Sequence, residues 1–247
     1  VDDFVFDYYP ISPGKLRRWH PGGNARLEAT ERDLLEFPAR SYERRGGTIA
    51  LRSSWVSDNA SAIQTTMDYL DAVHQRVAAT GCFGLHEWAM VLDVDDVRHT
   101  DYPLRVTQHQ VRAAIDEVGL RCTHFDAFRF FTPAAAPLNP VQLTRALQIA
   151  TDQPGCLHAN MDLYKHAMAL APLVGSALVR SAFALAREIR QVDMQAAPYD
   201  LTSLGVVPLR VETPAGRAQF AAHQRDFAQR AHAIRASLIE AARATLG

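Results

Sequence analysis

The chain has 247 residues, of which 48% are hydrophobic and 21% are charged, and its net charge is -1. This composition excludes collagen-like, coiled-coil and disordered chains and is typical of a protein that buries a sizeable core. The balanced charge disfavours broad electrostatic binding to nucleic acid or to an anionic membrane. We expect a single domain over residues 1–247, and the start at Val1 rather than Met suggests that an upstream N-terminal segment precedes it.

The cysteine pattern and the hydropathy indicate a cytoplasmic protein. The three cysteines, Cys82, Cys122 and Cys156, are odd in number and lack paired zinc spacing, so we interpret them as buried thiols in a reducing compartment. No apolar run approaches the roughly 18–20 residues of a membrane span, and the first residues show neither the basic nor the apolar region that a signal peptide has. We therefore expect no membrane partner.

The first half of the chain predicts an irregular start, two strands and two helices. The stretch from Phe4 is rich in aromatics and prolines, and a short strand is predicted at Thr48–Arg52. An amphipathic helix is predicted over 58–80, with Asp58 as its N-cap and Gly81 beyond its end. Its apolar stripe consists of Ile63, Met67, Leu70, Val73 and Val77. A strand at Tyr102–Val106 and a helix at Gln108–Val118 follow.

The second half is predicted to be mainly helical. Its long final helix has an apolar stripe that could face its own core or a second subunit, and core packing is the default. A Pro-containing edge strand is predicted at Val206–Glu212. The predicted helices are Val141–Thr151, Leu157–Ala171, Ser176–Ala196 and Pro214–Leu246. The sequence thus predicts a mainly α fold, a helical array with a minor β element.

Three segments place acids, histidines and aromatics in apolar surroundings, where ionisable groups are either paired or line a cavity: 81–90, 121–133 and 153–166. In the third segment, His158, Asp162 and Lys165 lie on one face of a helix. A His with a carboxylate four residues later indicates two metal ligands, a base with its orienting carboxylate, or a plain surface pair. We keep all three interpretations.

The second segment contains His124, Asp126 and Arg129. One interpretation makes Asp126 a buried acid or base and Arg129 an anion clamp, with Phe125, Phe128, Phe130 and Phe131 forming the wall of a pocket. The other is a core helix with one neutralising ion pair. In either case we expect Asp126 and Arg129 to be mostly buried and to face each other or a shared ligand.

The first segment adds further candidate metal ligands, but the spacing between the candidates is not diagnostic of any known metal site. His86-Glu87-Trp88 lacks the second His of a zinc-protease helix, so that class is rejected. Imidazoles and carboxylates suit Fe, Mn or Zn, and a divalent metal is the cofactor we consider. The candidate ligands are His86, Glu87, His124, Asp126, His158 and Asp162. We predict that His86, His124, His158 and Asp162 converge on one cavity. Dinucleotide-binding, phosphate-loop and nucleophile-elbow motifs are absent from the sequence.

Several strings resemble a bacterial family that carries the name 3-methyladenine DNA glycosylase. They are Phe6–Pro10, Leu16–Gly22, Gly81–Met90, Arg121–Pro133, Gln153–Lys165 and Pro198–Leu201. The resemblance implies DNA repair by hydrolysis of an N-glycosidic bond, which needs a carboxylate, an aromatic pocket and cations for phosphates. The catalytic candidates are Asp126, Asp162, His158 and His124. The substrate-binding candidates are Arg129, Lys165, Trp88, Phe125, Phe128, Tyr164 and Asn160.

Three hypotheses follow for the function. The first is an N-glycosidic hydrolase, as the resemblance implies. The second is an enzyme that uses Fe, Mn or Zn on a small aromatic or nucleoside-like metabolite, and the third is a non-catalytic protein that binds a small ligand. The expected partner is a small-molecule or nucleobase-containing substrate, and the neutral charge disfavours duplex DNA.

Overall fold

The structure is a computed structural model that describes residues 6, 8–94 and 101–246. It has a mainly α fold with one small sheet. In chain order the helices are α1 (Pro13–Leu16), α2 (Glu31–Leu34), α3 (Ser53–His74), α4 (Leu85–Ala89), α5 (Gln108–Val118), α6 (Phe125–Phe128), α7 (Gln148–Thr151), α8 (Leu157–Leu170), α9 (Ser176–Ala196) and α10 (Pro214–Leu246). Short 3-10 turns lie at Ala136–Leu138, Arg145–Leu147 and Thr202–Leu204.

The sheet is antiparallel and has the strand order β1-β3-β2. Its strands are β1 (Leu27–Glu28), β2 (Tyr42–Arg45) and β3 (Thr48–Leu51). Gly46 and Gly47 connect β2 to β3, and both have the positive φ that a tight two-residue hairpin requires. The strand predicted at Thr48–Arg52 is confirmed as β3, and the hairpin delivers the chain directly into α3.

The core lies between the long helices α3, α8, α9 and α10, with α8 at its centre. Most side chains of α8 are buried, because the helix is apolar nearly all round and touches each of the other three. Polar residues of α8, among them His158 and Asp162, are therefore carried into the interior. Among the described residues, no helix combines the length and the apolar character needed to cross a membrane.

Four of the predicted helices are confirmed. The helices at Gln108–Val118, Ser176–Ala196 and Pro214–Leu246 have their predicted bounds, and Leu157–Leu170 ends one residue before the predicted end. A capping box between Thr107 and Gln110 fixes the start of α5. The stripe of α10 faces the core as expected, with Phe220, Phe227 and Leu238 buried.

The helix predicted over 58–80 lies instead at Ser53–His74. Its stripe from Ile63 to Val73 is buried as predicted, but Val77 is 90% exposed. The helix ends early because the Gln153 side chain binds both backbone groups of Ala79, at 2.8 and 3.1 Å, and this holds the following chain out of helical conformation.

Three other predicted elements were wrong. Val206–Glu212 forms no strand, since the N–H of Leu209 donates to the carbonyl of Gln195 on α9 rather than to a strand. The segment 102–106 contributes a single bridge, Leu104 to Tyr199. The helix predicted at Val141–Thr151 is reduced to α7 and the turn before it. Asn139 donates to the carbonyl of Val141 at 2.7 Å, and such side-chain bonds hold this stretch in turns rather than in a helix.

Candidate functional site

Three separate segments of the chain bring histidines and acids together. His86 lies on α4, His124 immediately precedes α6, and His158 and Asp162 lie one turn apart on α8. The ring of His158 lies 4.5 Å from the ring of His86 and 5.4 Å from the ring of His124, measured between centroids. His124 Nε2 is 3.9 Å from Asp162 Oδ2. The four residues lie close together as predicted, but only His158 and Asp162 line the cavity described below, so the expected convergence on one cavity is observed in part.

The first group of coordinating atoms, here called the His86 cluster, consists of His86, His158 and Asp193. One ligand atom from each residue lies within 4.8 Å of the other two. His86 Nε2 and Asp193 Oδ1 are 3.0 Å apart and buried, yet neither forms a hydrogen bond with any described residue. The second oxygen of Asp193 accepts from Arg190 Nη1 at 2.7 Å. One carboxylate oxygen is thus held in place while the other faces the two imidazoles.

Burial and neighbouring charge set the protonation of the His86 cluster. Burial, with help from His86, lowers the pKa of His158 to about 3, so its imidazole is neutral with a free lone pair. Burial would also lower the pKa of His86, but the Asp193 carboxylate outweighs it and raises that pKa. Burial would raise the pKa of Asp193, but His86 and Arg190 keep it below its usual range. The cluster therefore concentrates charge and lone pairs in the interior.

The second group, here called the His124 cluster, consists of His124, Asp126 and Asp162, whose ligand atoms also lie within 4.8 Å of one another. His124 Nδ1 is 3.0 Å from Asp152 Oδ1, and Tyr69 Oη donates to Asp152 Oδ2 at 2.7 Å. His124 Nε2 is buried and has no hydrogen-bond partner among the described residues. This arrangement fixes the ring and leaves one nitrogen facing the two carboxylates.

Both carboxylates of the His124 cluster are paired with cations. Asp162 accepts from Tyr9 Oη at 2.7 Å and from Lys165 Nζ at 2.5 Å. Asp126 forms a two-bond pair with the Arg145 guanidinium, at 2.8 and 2.5 Å. Burial would raise the pKa of both carboxyls, but Lys165 and Arg145 outweigh it and keep both pKa values below the usual range. Both carboxylates are therefore ionised at neutral pH.

A cavity of about 560 Å³ is lined by one member of the His86 cluster, His158, and by two members of the His124 cluster, Asp126 and Asp162. Its wall also contains Tyr8, Phe130 and Tyr199. The cationic side chains of the lining are Arg129, Arg145, Lys165 and Arg190, and the acidic ones are Glu87, Asp126 and Asp162. The cavity thus combines a floor of imidazole and carboxylate with an excess of cationic groups.

The structure does not bring every predicted substrate-binding residue to this cavity. Trp88 is fully buried and donates to the carbonyl of Ala196 at 2.9 Å. Tyr164 packs in the core against Tyr9 and Phe183. These two therefore contribute to the core, a correction that follows from their helices being surrounded by other elements.

Three further candidates also differ from their expected positions. Asn160 is buried and bonded to the carbonyl of Pro154 and to Arg235, at 2.8 and 2.9 Å. Phe128 lies in a small hydrophobic cluster with Leu143, beside the cavity rather than in its wall. Phe125 lies under the guanidinium of Arg145, with 4.8 Å between guanidinium carbon and ring centroid. Their surroundings are those of supporting residues.

The predicted pair of Asp126 and Arg129 is observed only in part. Arg129 Nε lies 3.5 Å from Asp126 Oδ1, but the Arg129 side chain is 49% exposed while that of Asp126 is 14% exposed. The main partner of Asp126 is Arg145. Arg129 is exposed because it follows the last residue of α6 and extends over the ring of Phe130 at the mouth of the cavity.

Two acids that complete the site were not predicted from the sequence, and one predicted ligand lies apart. Asp193 is a carboxylate on the apolar stripe of α9, one turn after the buried Ile189. A charged residue at a position where the helix pattern predicts an apolar one could have identified Asp193 as a site residue. Asp152 has no comparable signal, since it lies between a polar helix end and Gln153. Glu87, predicted as a ligand, lies in neither cluster and contacts Arg190 at 3.4 Å.

No family model matches this chain, and the searches of curated proteins and of solved structures likewise returned no match.

Proposed function

We propose that this protein is a metal-dependent enzyme that acts on a compact, anionic metabolite, with a divalent cation held by the His86 cluster. The observation that carries the proposal is the pair of buried atoms, His86 Nε2 and Asp193 Oδ1, that face His158 without a hydrogen bond to any described residue. The two atoms face each other as a buried ion pair, so either a shared proton or a bound cation must balance the carboxylate. A cation between them would satisfy both.

The donor set suits a transition metal. Two imidazoles and one carboxylate are the ligands typical of catalytic Zn²⁺ and of non-haem Fe²⁺ sites, which keep further positions open for substrate or water. The three ligands come from α4, α8 and α9, so the geometry is held by packed helices. The bond from Arg190 to Asp193 supplies the supporting contact that metal-binding carboxylates usually have.

The charge of the cavity favours an anionic substrate. Four cationic side chains face three acidic ones in its lining, and a divalent cation would add two further positive charges. Arg129 is the best placed group for recognition, because its side chain is 49% exposed and its Nε lies 3.5 Å from Asp126 Oδ1. Its remaining donors suit a carboxylate or a phosphate.

Two further residues have roles that follow from their positions. Bound metal would supply a Lewis acid at the floor of the cavity. Asp162 stays ionised and holds the ammonium of Lys165 at the cavity wall. There the Lys165 ammonium can donate hydrogen bonds to substrate. His158 lines the cavity and also belongs to the His86 cluster, so a cation bound by this cluster would lie next to a substrate in the cavity.

Elemental analysis and titration with Zn²⁺, Mn²⁺ and Fe²⁺ test the proposal on the purified protein. We expect tight metal binding. Asp193→Asn should weaken the affinity by more than about 100-fold, because the loss of a residue that only supports a ligand costs up to that much. Asp226→Asn is the matched control, because Asp226 is an exposed acid of α10 that pairs with Arg230, and this variant should bind metal normally. A folded protein without affinity for any of these ions would contradict the proposal and favour a non-catalytic binder.

Hydrolysis of an N-glycosidic bond is a second candidate. It is favoured by the two ionised carboxylates, Asp126 and Asp162, which line one cavity together with Tyr8, Phe130 and Tyr199. A carboxylate can stabilise an oxocarbenium-like transition state while aromatic side chains hold the base. Release of free methylated base from alkylated duplex DNA, abolished by Asp126→Asn or Asp162→Asn, would establish this activity.

For that candidate we expect weak duplex binding. A protein that neutralises several phosphates loses affinity with salt at a slope of about -0.9 per phosphate. This chain has a net charge of -1, and its paired arginines Arg17-Arg18 and Arg44-Arg45 are short patches. Binding to duplex DNA measured at several salt concentrations should therefore be weak and show a shallow slope.

A further inference from the structure

We infer that the His124 cluster binds a second divalent cation beside the first, so that the cavity floor is a two-metal site for an anion with two adjacent oxygens. This inference deepens the proposed function and rests on it for the role of the first ion. Binding at the His124 cluster itself can be measured separately.

The orientation of His124 is the main observation. Its Nδ1 is engaged by Asp152 at 3.0 Å, and Asp152 is fixed in turn by Tyr69 at 2.7 Å. A carboxylate on one ring nitrogen is the usual support of a metal-binding histidine. The other nitrogen, Nε2, is fully buried, has no partner among the described residues, and lies 3.9 Å from Asp162 Oδ2.

The carboxylates of the cluster can accept a cation in addition to their present partners. Each ionised carboxylate offers about four lone-pair sites, and Asp126 and Asp162 use only part of them for Arg145, Lys165 and Tyr9. The neighbouring ammonium and guanidinium groups repel a divalent ion. We therefore expect the His124 cluster to bind more weakly than the His86 cluster and to fill second.

The two clusters are neighbours. The ring of His158 lies between the rings of His86 and His124, at 4.5 and 5.4 Å, and Asp126, Asp162 and His158 all line one cavity. In two-metal sites, ions about 3.5–4 Å apart bind the oxygens of an anionic group between them. The substrate class is therefore a phosphate ester or a carboxylate, with Arg129 at the mouth of the cavity meeting a further negative charge.

The rival occupant of the His124 cluster is a proton. In that case His124 is an imidazolium between Asp152 and Asp162, and only the His86 cluster takes a metal. In both arrangements a positive charge lies beside the buried carboxylates around His124, but the arrangements differ in the number of metal ions bound per chain.

Equilibrium dialysis against Zn²⁺, followed by elemental analysis, counts the ions. We expect two per chain in the unaltered protein, one in Asp193→Asn, one in Asp126→Asn, and two in the control Asp226→Asn. Asp126 is chosen because its side chain lies at the cavity rather than in the core, so the fold should tolerate the change. Circular dichroism checks each variant.

Mn²⁺ titration followed by electron paramagnetic resonance gives a measurement that needs no variant. Two neighbouring Mn²⁺ ions should broaden each other's signal as the second equivalent binds. One ion per chain, lost in Asp193→Asn and kept in Asp126→Asn, would overturn the second site and leave the proposed function standing. One ion lost only in Asp126→Asn would overturn the two-metal arrangement together with the assignment of the His86 cluster, and no bound ion would overturn both proposals.

Discussion

Nδ1 of His124 lies 3.0 Å from a carboxylate oxygen of Asp152, and both side chains are fully shielded from solvent. Burial alone would lower the pKa of His124, but Asp152 outweighs it and raises that pKa. The contact therefore orients the ring and increases the basicity of the nitrogen that faces Asp162. This relationship connects the core, through Tyr69, to the candidate metal site.

Asp152→Asn should weaken metal binding at the His124 cluster by about 10- to 100-fold, because the neutral amide no longer supports the imidazole. Zn²⁺ titration of the variant measures the loss, and the first, tighter site should be unaffected. Tyr69→Phe is the control, since it keeps the carboxylate and removes only one hydroxyl, and its effect should be smaller. An equal loss at both sites would contradict this specific role.

Trp88→Phe should lower the free energy of unfolding by about 2 kcal/mol and leave ligand binding unchanged. The substitution removes the buried donor to the Ala196 carbonyl and leaves a void where the larger ring was. Urea unfolding and Zn²⁺ titration of the same preparation check the two halves of the prediction. A weakened ligand affinity in a variant of normal stability would instead place Trp88 in the binding site.

Glu212→Gln should destabilise the protein by about 1.5 kcal/mol at pH 7, because Glu212 pairs with both terminal nitrogens of Arg105, at 2.6 and 2.9 Å. Burial would raise the pKa of Glu212, but the bonds from Arg105 lower it below the ordinary value. A carboxyl whose pKa is lowered by folding contributes stability above its unfolded pKa, and this contribution is lost as the pH falls through the folded pKa.

The difference between Glu212→Gln and the unaltered protein should therefore shrink as the pH is lowered from 7 to below about 4. Urea unfolding at each pH measures it. Glu36→Gln, at an exposed position, should change stability by less than about 0.5 kcal/mol throughout. A difference that stayed constant with pH would show that the charge of Glu212 is not what stabilises the fold.

Gly155→Ala should destabilise the protein by about 3 kcal/mol and weaken metal binding. A Cβ at Gly155 would lie 2.2 Å from the carbonyl oxygen of Ala79, so the backbone must move at the start of α8, which carries His158. Gly14→Ala is the matched control, because a Cβ there meets nothing closer than 3.9 Å. Thermal unfolding and Zn²⁺ titration test both effects, and equal behaviour of the two variants would disprove the close approach.

The sequence by itself determined the long helices. The helices at Gln108–Val118, Ser176–Ala196 and Pro214–Leu246 were predicted with their observed bounds, because apolar periodicity and end signals are local properties of the chain. Local spacing likewise placed His158 and Asp162 on one face of a helix. Where tertiary contacts compete with local preference, as at Ala79 and Asn139, the predicted bounds were wrong.

The arrangement of the site was decided only by the tertiary structure. Asp193 reaches His86, and Asp152 reaches His124, through contacts between residues far apart in the chain, and no local spacing encodes such a meeting. The same holds for Trp88, whose apolar and aromatic character suits a pocket wall and a core equally well. Which face of its short helix is covered depends on the packing of α9 and α10. As a result, Trp88 is buried in the core, whereas His158 lines the cavity.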